Sequence, residues 1–110
     1  MDIQLKKGLL EFCVLAVLQR SDSYGYQIVK DVSTCVEMSE STLYPILKRL
    51  EGNGFLTTYS VEHNGRLRKY YRITEEGRRR IKEFLAEWQQ VMDIYYFIKG
   101  SEAQRIKNIF

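Results

Sequence analysis

The sequence is poor in the residues that build most catalytic and metal centres. Its 110 residues include one histidine, His63, and two cysteines, Cys13 and Cys35, which stand 22 positions apart. Structural zinc is held by about four closely grouped Cys or His ligands, so these residues predict no zinc site. No familiar catalytic or phosphate-binding motif occurs either. We therefore expect a protein that is not an enzyme and that uses no metal or cofactor.

Long apolar runs and targeting features are also scarce. The longest apolar stretch, residues 12–18, is far shorter than the roughly 18 to 20 residues that span a bilayer. Lys6 and Lys7 precede this stretch, but no small-residue cleavage site follows it. A single proline and no low-complexity run argue against disorder. We expect one globular unit in the cytoplasm that makes no contact with a membrane.

The positive charge is concentrated in the middle of the chain. Residues 41–82 contain ten Lys or Arg and four Asp or Glu, a balance of +6, whereas residues 1–40 carry −2 and residues 83–110 carry −1. A local basic patch is typical of nucleic-acid binding, because neutralising phosphates releases condensed counterions. A solvated charged surface is the alternative interpretation.

Apolar periodicity and turn residues predict a mainly α protein with a β-hairpin, in the α+β class. Ser23 and Ser39 are expected to cap the second and third helices, and Asn64-Gly65 is a strong hairpin signal. Three helices followed by a basic hairpin form a winged helix-turn-helix, and Thr74 then caps a long fourth helix. The expected helices span residues 5–19, 24–34, 40–51 and 75–99, and the expected strands span residues 55–63 and 66–73.

The third helix is amphipathic in a way that suits DNA. Leu43, Ile46, Leu47 and Leu50 recur at the spacing of a core-facing stripe. The other side of the helix carries hydroxyls, one aromatic and cations, a mixture that major-groove insertion requires. Those residues are Ser41, Thr42, Tyr44, Lys48 and Arg49, of which Lys48 and Arg49 are expected to have no other partner.

Two apolar surfaces predict a second subunit. The first helix is apolar almost all round between residues 9 and 18, so it is expected to lie between its own domain and a partner. The last helix would be roughly 37 Å long, more than a small winged domain covers. Its apolar stripe follows heptad-like spacing and comprises Ile81, Leu85, Trp88, Met92 and Tyr95.

Three segments of the chain resemble the PadR family of bacterial transcriptional regulators. They are YGYQIVKDV (24–32), STLYPILKRLEGNGFL (41–56) and GRLRKYYRITEEG (65–77), and the likeness runs from about residue 5 to residue 99. The resemblance implies a homodimeric repressor of the short subgroup, which binds a palindromic operator near its own gene or a transporter or detoxification gene. It divides the chain into a DNA-binding domain (1–74), a dimerisation helix (75–99) and a weakly patterned tail (100–110).

The resemblance also implies roles for individual residues. Dimerisation would join the C-terminal helix to the partner's N-terminal helix through Leu9, Phe12, Ile81, Leu85, Trp88, Met92 and Tyr95. A small aromatic or cationic effector would stack on Trp88 in a cavity at the dimer centre, lined by Phe12, Met92 and Tyr95. DNA would be contacted by Tyr24, Ser41, Thr42, Tyr44, Lys48, Arg49, His63, Asn64, Gly65, Arg66 and Arg68.

Some alternatives stay open at this stage. Tyr24 and Tyr44 are as well explained by packing as by DNA contact. Trp88 on a heptad seam is also typical of plain interface packing. For the whole chain, the alternative function is a winged-helix module that binds another protein and shows no specific DNA binding.

Overall fold

The computed structural model describes residues 1–100, which form four α-helices and a three-stranded sheet. This architecture confirms the predicted winged helix-turn-helix with a long C-terminal helix. The predicted tail lies outside the described residues apart from Gly100, which ends the last helix. The elements are α1 (Ile3–Arg20), β1 (Ser23–Tyr24), α2 (Gly25–Val32), α3 (Glu40–Gly52), β2 (Leu56–His63), β3 (Arg66–Ile73) and α4 (Glu75–Lys99).

Helix α1 begins two residues earlier than the apolar pattern indicates. The carboxylate of Asp2 accepts hydrogen bonds from the backbone N–H groups of Gln4 at 2.9 Å and Leu5 at 3.1 Å. An acidic N-cap satisfies these otherwise unpaired donors and lies at the positive end of the helix dipole. Asp2 therefore extends the helix into a segment that has no apolar periodicity.

The prediction that Ser23 caps the second helix is wrong. Ser23 and Tyr24 form the short strand β1, which pairs antiparallel with Tyr71 and Tyr70 of β3. Ser23 is buried in this pairing, and Tyr24 takes the N-cap position of α2 with extended backbone and no capping side chain. The capping rule failed here because Ser23 pairs with a strand that lies far along the chain, a contact that no local pattern contains.

Helix α3 is built as its periodicity predicts. Leu43, Ile46, Leu47 and Leu50 are all buried, which confirms the core-facing stripe. Ser39 caps the helix by accepting a hydrogen bond from the backbone N–H of Thr42. Helix α3 therefore lies on the core with its other side exposed to solvent.

The sheet has the strand order β1-β3-β2, and all pairs are antiparallel. One side of the sheet packs against the helices through the buried side chains of Leu56, Tyr71 and Ile73. Leu67, near the hairpin tip, is 78% exposed. The hairpin thus has a packed base and an exposed tip. The buried core consists of Leu10, Val14, Leu15, Val17, Leu18, Ile28, Val32, Met38, Leu43, Ile46, Leu47, Leu50, Leu56, Tyr71, Ile73 and Ile81.

Only the first two turns of helix α4 contribute to the buried core. Ile81 is its last buried side chain within residues 1–100, and the molecule measures 59 Å along its longest axis. The apolar side chains of α4 beyond this point are half-buried or exposed, with Leu85 60% and Ile98 77% exposed. Within the described part of the chain, no helix is long and apolar enough to cross a membrane.

A close approach at Gly77 holds α4 against the base of the hairpin. A Cβ atom at this position would lie 2.5 Å from the carbonyl oxygen of Phe55 and 2.6 Å from Cγ1 of Ile73. We predict that Gly77→Ala lowers the free energy of unfolding by about 1 to 3 kcal/mol, as overpacking of a tight core does. Urea denaturation followed by circular dichroism measures this change.

Gly52→Ala is the matched control, since it adds the same methyl group to a helix at a position where, apart from the adjacent residues and the nearby backbone of the same helix, no atom lies within 4 Å of the new Cβ. It should leave stability unchanged or raise it by up to about 1 kcal/mol, because alanine favours helix more than glycine does. Equal stability of the Gly77→Ala protein and the parent would contradict the close packing.

Candidate nucleic-acid interface

The outer side of α3 presents a row of polar side chains to solvent, which we call the reading face. It comprises Ser41, Thr42, Tyr44 and Lys48, all exposed. At its start, the hydroxyl of Ser39 lies 3.0 Å from that of Ser41 and 3.1 Å from that of Thr42. An exposed helix face that combines hydroxyls with a cation has the composition needed to contact base edges and phosphates in a major groove.

Lys48 and Arg49 are neighbours with different surroundings. Among residues 1–100, no carboxylate lies within 4.0 Å of the Lys48 ammonium. The Nε of Arg49 instead donates to a carboxylate oxygen of Glu11, so that an ion pair joins α3 to α1. The expectation that Arg49 has no other partner is therefore wrong, because the first helix brings an acid to it.

The tip of the hairpin, residues 63–66, forms the wing tip. Asn64 and Gly65 have positive φ angles of 52° and 77°, which are those of a two-residue type I′ turn. His63 and Arg66 pair across the strands beside it, and all four residues are exposed. The turn prediction is confirmed, and the wing tip carries the Arg66 guanidinium into solvent.

Arginines and tyrosines stack in a row along the outer side of the sheet. The rings of Tyr59 and Tyr70 stack with centroids 5.5 Å apart, and Tyr24 meets Tyr70 edge-on at the same distance. Arg68 lies 4.1 Å from the Tyr24 ring centroid and Arg72 lies 4.9 Å from that of Tyr59. This tyrosine ladder, Tyr24, Tyr59 and Tyr70 with its two arginines, holds the three strands together and supports the wing.

Asp22 anchors one end of the tyrosine ladder. Its carboxylate accepts hydrogen bonds from the Tyr59 hydroxyl at 2.7 Å and from Nε of Arg72 at 3.0 Å. The hydrogen bond from Tyr59 and then that from Arg72 lower the pKa of Asp22, and the same contacts raise the pKa values of Tyr59 and Arg72. Sequence reasoning missed Asp22, because no spacing rule links it to side chains on strands far along the chain.

The lowered pKa of Asp22 makes a small part of the stability depend on pH. A carboxyl whose pKa is lower in the folded state stabilises the fold above its ordinary value of about 3.9 and loses that contribution as pH falls through the folded value. We predict that Asp22→Asn is less stable than the parent near neutral pH and that the gap narrows as pH falls below about 4. Urea titrations of both proteins across this range test the prediction, which a gap independent of pH would contradict.

Tyr24 and Tyr44 each combine packing with exposure. A Cβ atom at Gly25 would lie 2.5 Å from the Tyr44 hydroxyl, so the Tyr44 ring rests over the start of α2, yet 47% of Tyr44 is exposed. Tyr24 is half-buried beneath Arg68. Both tyrosines line an open groove between α2, α3 and β3, together with Arg68, Lys69 and the acidic residue Glu40. Hydroxyls and cations beside a helix N-terminus form a surface suited to a phosphate.

A second group of aromatic side chains lies between α1 and α4. Phe12 stacks on Phe84 with centroids 3.9 Å apart, and Phe84 is followed by Trp88 at 5.9 Å. Phe12, Phe84 and Trp88 line a groove of about 340 Å³ with Leu9 and Val91. Among the predicted effector residues, the structure thus brings Phe12 and Trp88 together.

The other predicted effector residues lie further along α4. Met92 and Tyr95 follow Trp88 by one and two turns and are not among the residues that line its groove. Tyr95 instead packs edge-on against Tyr96. Of the predicted dimer residues, Ile81 is buried in its own protomer's core, whereas Leu9, Phe12, Leu85, Trp88, Met92 and Tyr95 retain accessible surface.

The reading face and the wing tip offer charged and hydrogen-bonding groups to a ligand. Within residues 1–100, no three His, Cys, Asp or Glu side chains are grouped so that they could hold a metal ion. The reading face and the wing tip instead expose hydroxyl donors and two cations, Lys48 and Arg66. Such groups suit the anionic backbone and polar base edges of nucleic acid.

Comparison with known proteins identifies the family. Residues 14–83 match the model of the transcriptional regulator PadR-like family. A solved structure from Streptococcus mutans UA159 is 43% identical, with a TM-score of 0.73, and the match covers 84% of this chain and 88% of that one. For a PadR family transcriptional regulator from Eggerthella lenta DSM 2243 the identity is 34% and the TM-score 0.79, over 91% of this chain and 89% of that one.

A curated relative carries a functional name. The negative transcriptional regulator PadR of Bacillus subtilis strain 168 is 24% identical, and the match covers 93% of this chain and 63% of that protein. Proteins of this family are transcriptional regulators that bind DNA, and they are not enzymes. The chain belongs to the PadR-like family of transcriptional regulators.

Proposed function

We propose that this regulator is a homodimeric repressor that works in the cytoplasm on a palindromic operator in double-stranded DNA, near its own gene or a transporter or detoxification gene. The reading face and the wing tip carry this proposal, since they place exposed hydroxyls, Lys48 and Arg66 on one helix and one hairpin. The name of the Bacillus subtilis relative, a negative regulator, supports repression.

Residues 1–74 form the DNA-binding domain in this proposal, and the reading face enters the major groove. The wing tip reaches the adjacent minor groove or its phosphates, a usual role for a basic arm beside a recognition helix. Arg68 supports the wing through Tyr24, and Arg49 contacts DNA if its ion pair with Glu11 opens or is shared. The proposed contacts are Tyr24, Ser41, Thr42, Tyr44, Lys48, Arg49, His63, Asn64, Gly65, Arg66 and Arg68.

The dimer forms through α4, residues 75–99, against α1 of the partner. Two observations support this arrangement: the exposed apolar stripe of α4, and an apolar groove that runs between α1 and α4 of the same protomer. Burying exposed apolar area is the main driving force of such association. Each protomer's stripe would cover the other's groove, so the interface would have twofold symmetry.

A footprint on DNA upstream of the gene tests the palindrome and the dimer together. A twofold dimer should protect two half-sites whose centres lie about one helical turn, 10 to 10.5 base pairs, or a multiple of it apart. Protection of a single half-site by one protomer would contradict the dimeric arrangement.

We further propose that the groove beside Trp88 binds a planar aromatic effector, preferably a cationic one. The stacked rings of Phe12, Phe84 and Trp88 offer an apolar surface, and Glu87 lines the same groove with a carboxylate. Aromatic faces attract cations, and a nearby carboxylate adds to this attraction. Binding would change DNA affinity only if the effector prefers one arrangement of the two wings.

Trp88→Ala should weaken binding of a fluorescent planar cation by about 5- to 30-fold, because it removes a stacking partner that contributes about 1 to 2 kcal/mol. Fluorescence anisotropy of the dye measures this binding, and Ile94→Ala is the control, since Ile94 is an exposed apolar residue of α4 that does not line the groove. Equal affinity of the Trp88→Ala protein and the parent would remove Trp88 from the site.

A further inference from the structure

The first turns of α1 carry two lysines to which neither the fold nor the proposed DNA contacts give a role. Lys6 and Lys7 are both exposed, and among residues 1–100 no carboxylate lies within 4.0 Å of either ammonium group. The charge totals conceal these lysines, because residues 1–40 as a whole carry a balance of −2. In the structure they stand together at one end of the first helix.

The side of α1 that carries Lys7 faces α3. Lys7 lines a groove with Ser39 and Thr42, at the start of α3. One turn after Lys7, Glu11 forms an ion pair with Arg49, which follows Thr42 by two turns of α3. Residues four positions apart share one face of a helix. The two contacts between α1 and α3 therefore place Lys7 beside the start of the reading face.

Lys7 is also clear of the surfaces that we propose for the partner and the effector. It lines neither of the two grooves between α1 and α4, whereas Lys6 lines the one that the partner's α4 would cover. A dimer of the proposed kind therefore leaves the Lys7 ammonium group in solvent. Of the two lysines, Lys7 is the one that stays open to DNA.

We propose that Lys7 forms a third DNA contact in each protomer and binds a backbone phosphate beside the start of α3. This contact rests on the function proposed above and extends the DNA-binding surface to the first helix. The major groove, about 12 Å wide, admits one helix. A cation next to the start of that helix but off its reading face thus lies over the sugar-phosphate backbone that borders the groove. Such contacts fix the position of a recognition helix without distinguishing bases.

Lys7→Ala should weaken operator binding by about tenfold, since a dimer loses two phosphate contacts. Glu37 lines the same groove, and its carboxylate offsets part of the attraction, which keeps the effect moderate. Because a phosphate carries no sequence information, operator and scrambled DNA should lose affinity by the same factor. The slope of log affinity against log salt should fall by about two for the dimer.

The test titrates labelled operator and scrambled DNA with the full chain at several salt concentrations. Lys7→Arg keeps the charge and should keep the affinity and the salt slope of the parent. Lys82→Ala removes a charge from α4 instead and should behave like the parent as well. Ethylation of single operator phosphates then locates the contact. In each half-site, one phosphate whose ethylation weakens binding of the parent should have no effect on binding of Lys7→Ala.

An unchanged salt slope in Lys7→Ala would overturn the proposal even if its affinity falls, because the number of neutralised phosphates would be the same. A loss of affinity confined to the operator would also overturn it, since Lys7 would then contribute to base recognition. If the parent protein binds no DNA, the function proposed above fails and the Lys7 contact fails with it. If the parent binds its operator and Lys7→Ala binds equally well, the Lys7 contact alone fails.

Discussion

Lys48→Ala should weaken binding to the operator by at least about 30-fold, since removing a side chain that binds a base or phosphate costs about 1 to 3 kcal/mol and a dimer loses two such side chains, about 2 to 6 kcal/mol together. Lys48 lies on the exposed side of α3, and within residues 1–100 no carboxylate lies within 4.0 Å of its ammonium group. Its full charge is thus available to DNA. Titration of labelled operator at fixed salt concentration measures the change in affinity.

Arg66→Ala at the wing tip should have an effect of the same order, because the guanidinium extends from an exposed two-residue turn. If each side chain neutralises a phosphate, either substitution should also lower the slope of log affinity against log salt by about one for each phosphate that is no longer neutralised.

Lys82→Ala is the control for both variants, since it removes the same charge from an exposed position on α4. All three variants should remain dimers on gel filtration. Full operator affinity in both Lys48→Ala and Arg66→Ala would show that the reading face and the wing tip are assigned wrongly.

Leu85→Glu should convert the dimer into monomers. Leu85 is 60% exposed on the apolar stripe of α4, so a charge there leaves the protomer's own core intact. In the proposed interface, however, the carboxylate would be desolvated without a partner, which costs several kcal/mol. Operator binding should fall by at least about 100-fold, because two linked half-site contacts become two separate ones.

Gln90→Glu is the matched control, because it adds the same charge to the side of α4 that faces away from the stripe. Sedimentation velocity of both variants gives the oligomeric state, and circular dichroism verifies that both fold. A Leu85→Glu protein that stays dimeric would rule out the α4 interface.

Much of the fold could be predicted because its determinants are local. The spacing of Leu43, Ile46, Leu47 and Leu50 places α3 on the core, and Asn64-Gly65 specifies the only common hairpin turn that needs two positive φ angles. Helix α4 has the predicted bounds, Glu75–Lys99, since Thr74 caps it and Gly100 ends it in the left-handed conformation.

The parts that were missed depend on contacts between distant segments. Three contacts join residues that no local pattern relates. They are the pairing of Ser23 with β3, the ion pair of Glu11 with Arg49, and the hydrogen bond of Asp22 to the tyrosine ladder. For the candidate site, the exposed side of α3 and the wing tip were predictable. The ion pair of Arg49 with Glu11 was not predictable, because it depends on which face of α1 packs against α3.

The most direct measurement of the central claim compares binding of the protein to DNA from upstream of its own gene with binding to scrambled DNA of equal length, across a salt series. A sequence-reading regulator should bind its own upstream DNA about a thousandfold or more tightly than the scrambled DNA at physiological salt. Equal binding to both DNAs that disappears as salt rises would mean that the operator lies near another gene, whereas no binding to either DNA even at low salt would contradict the account.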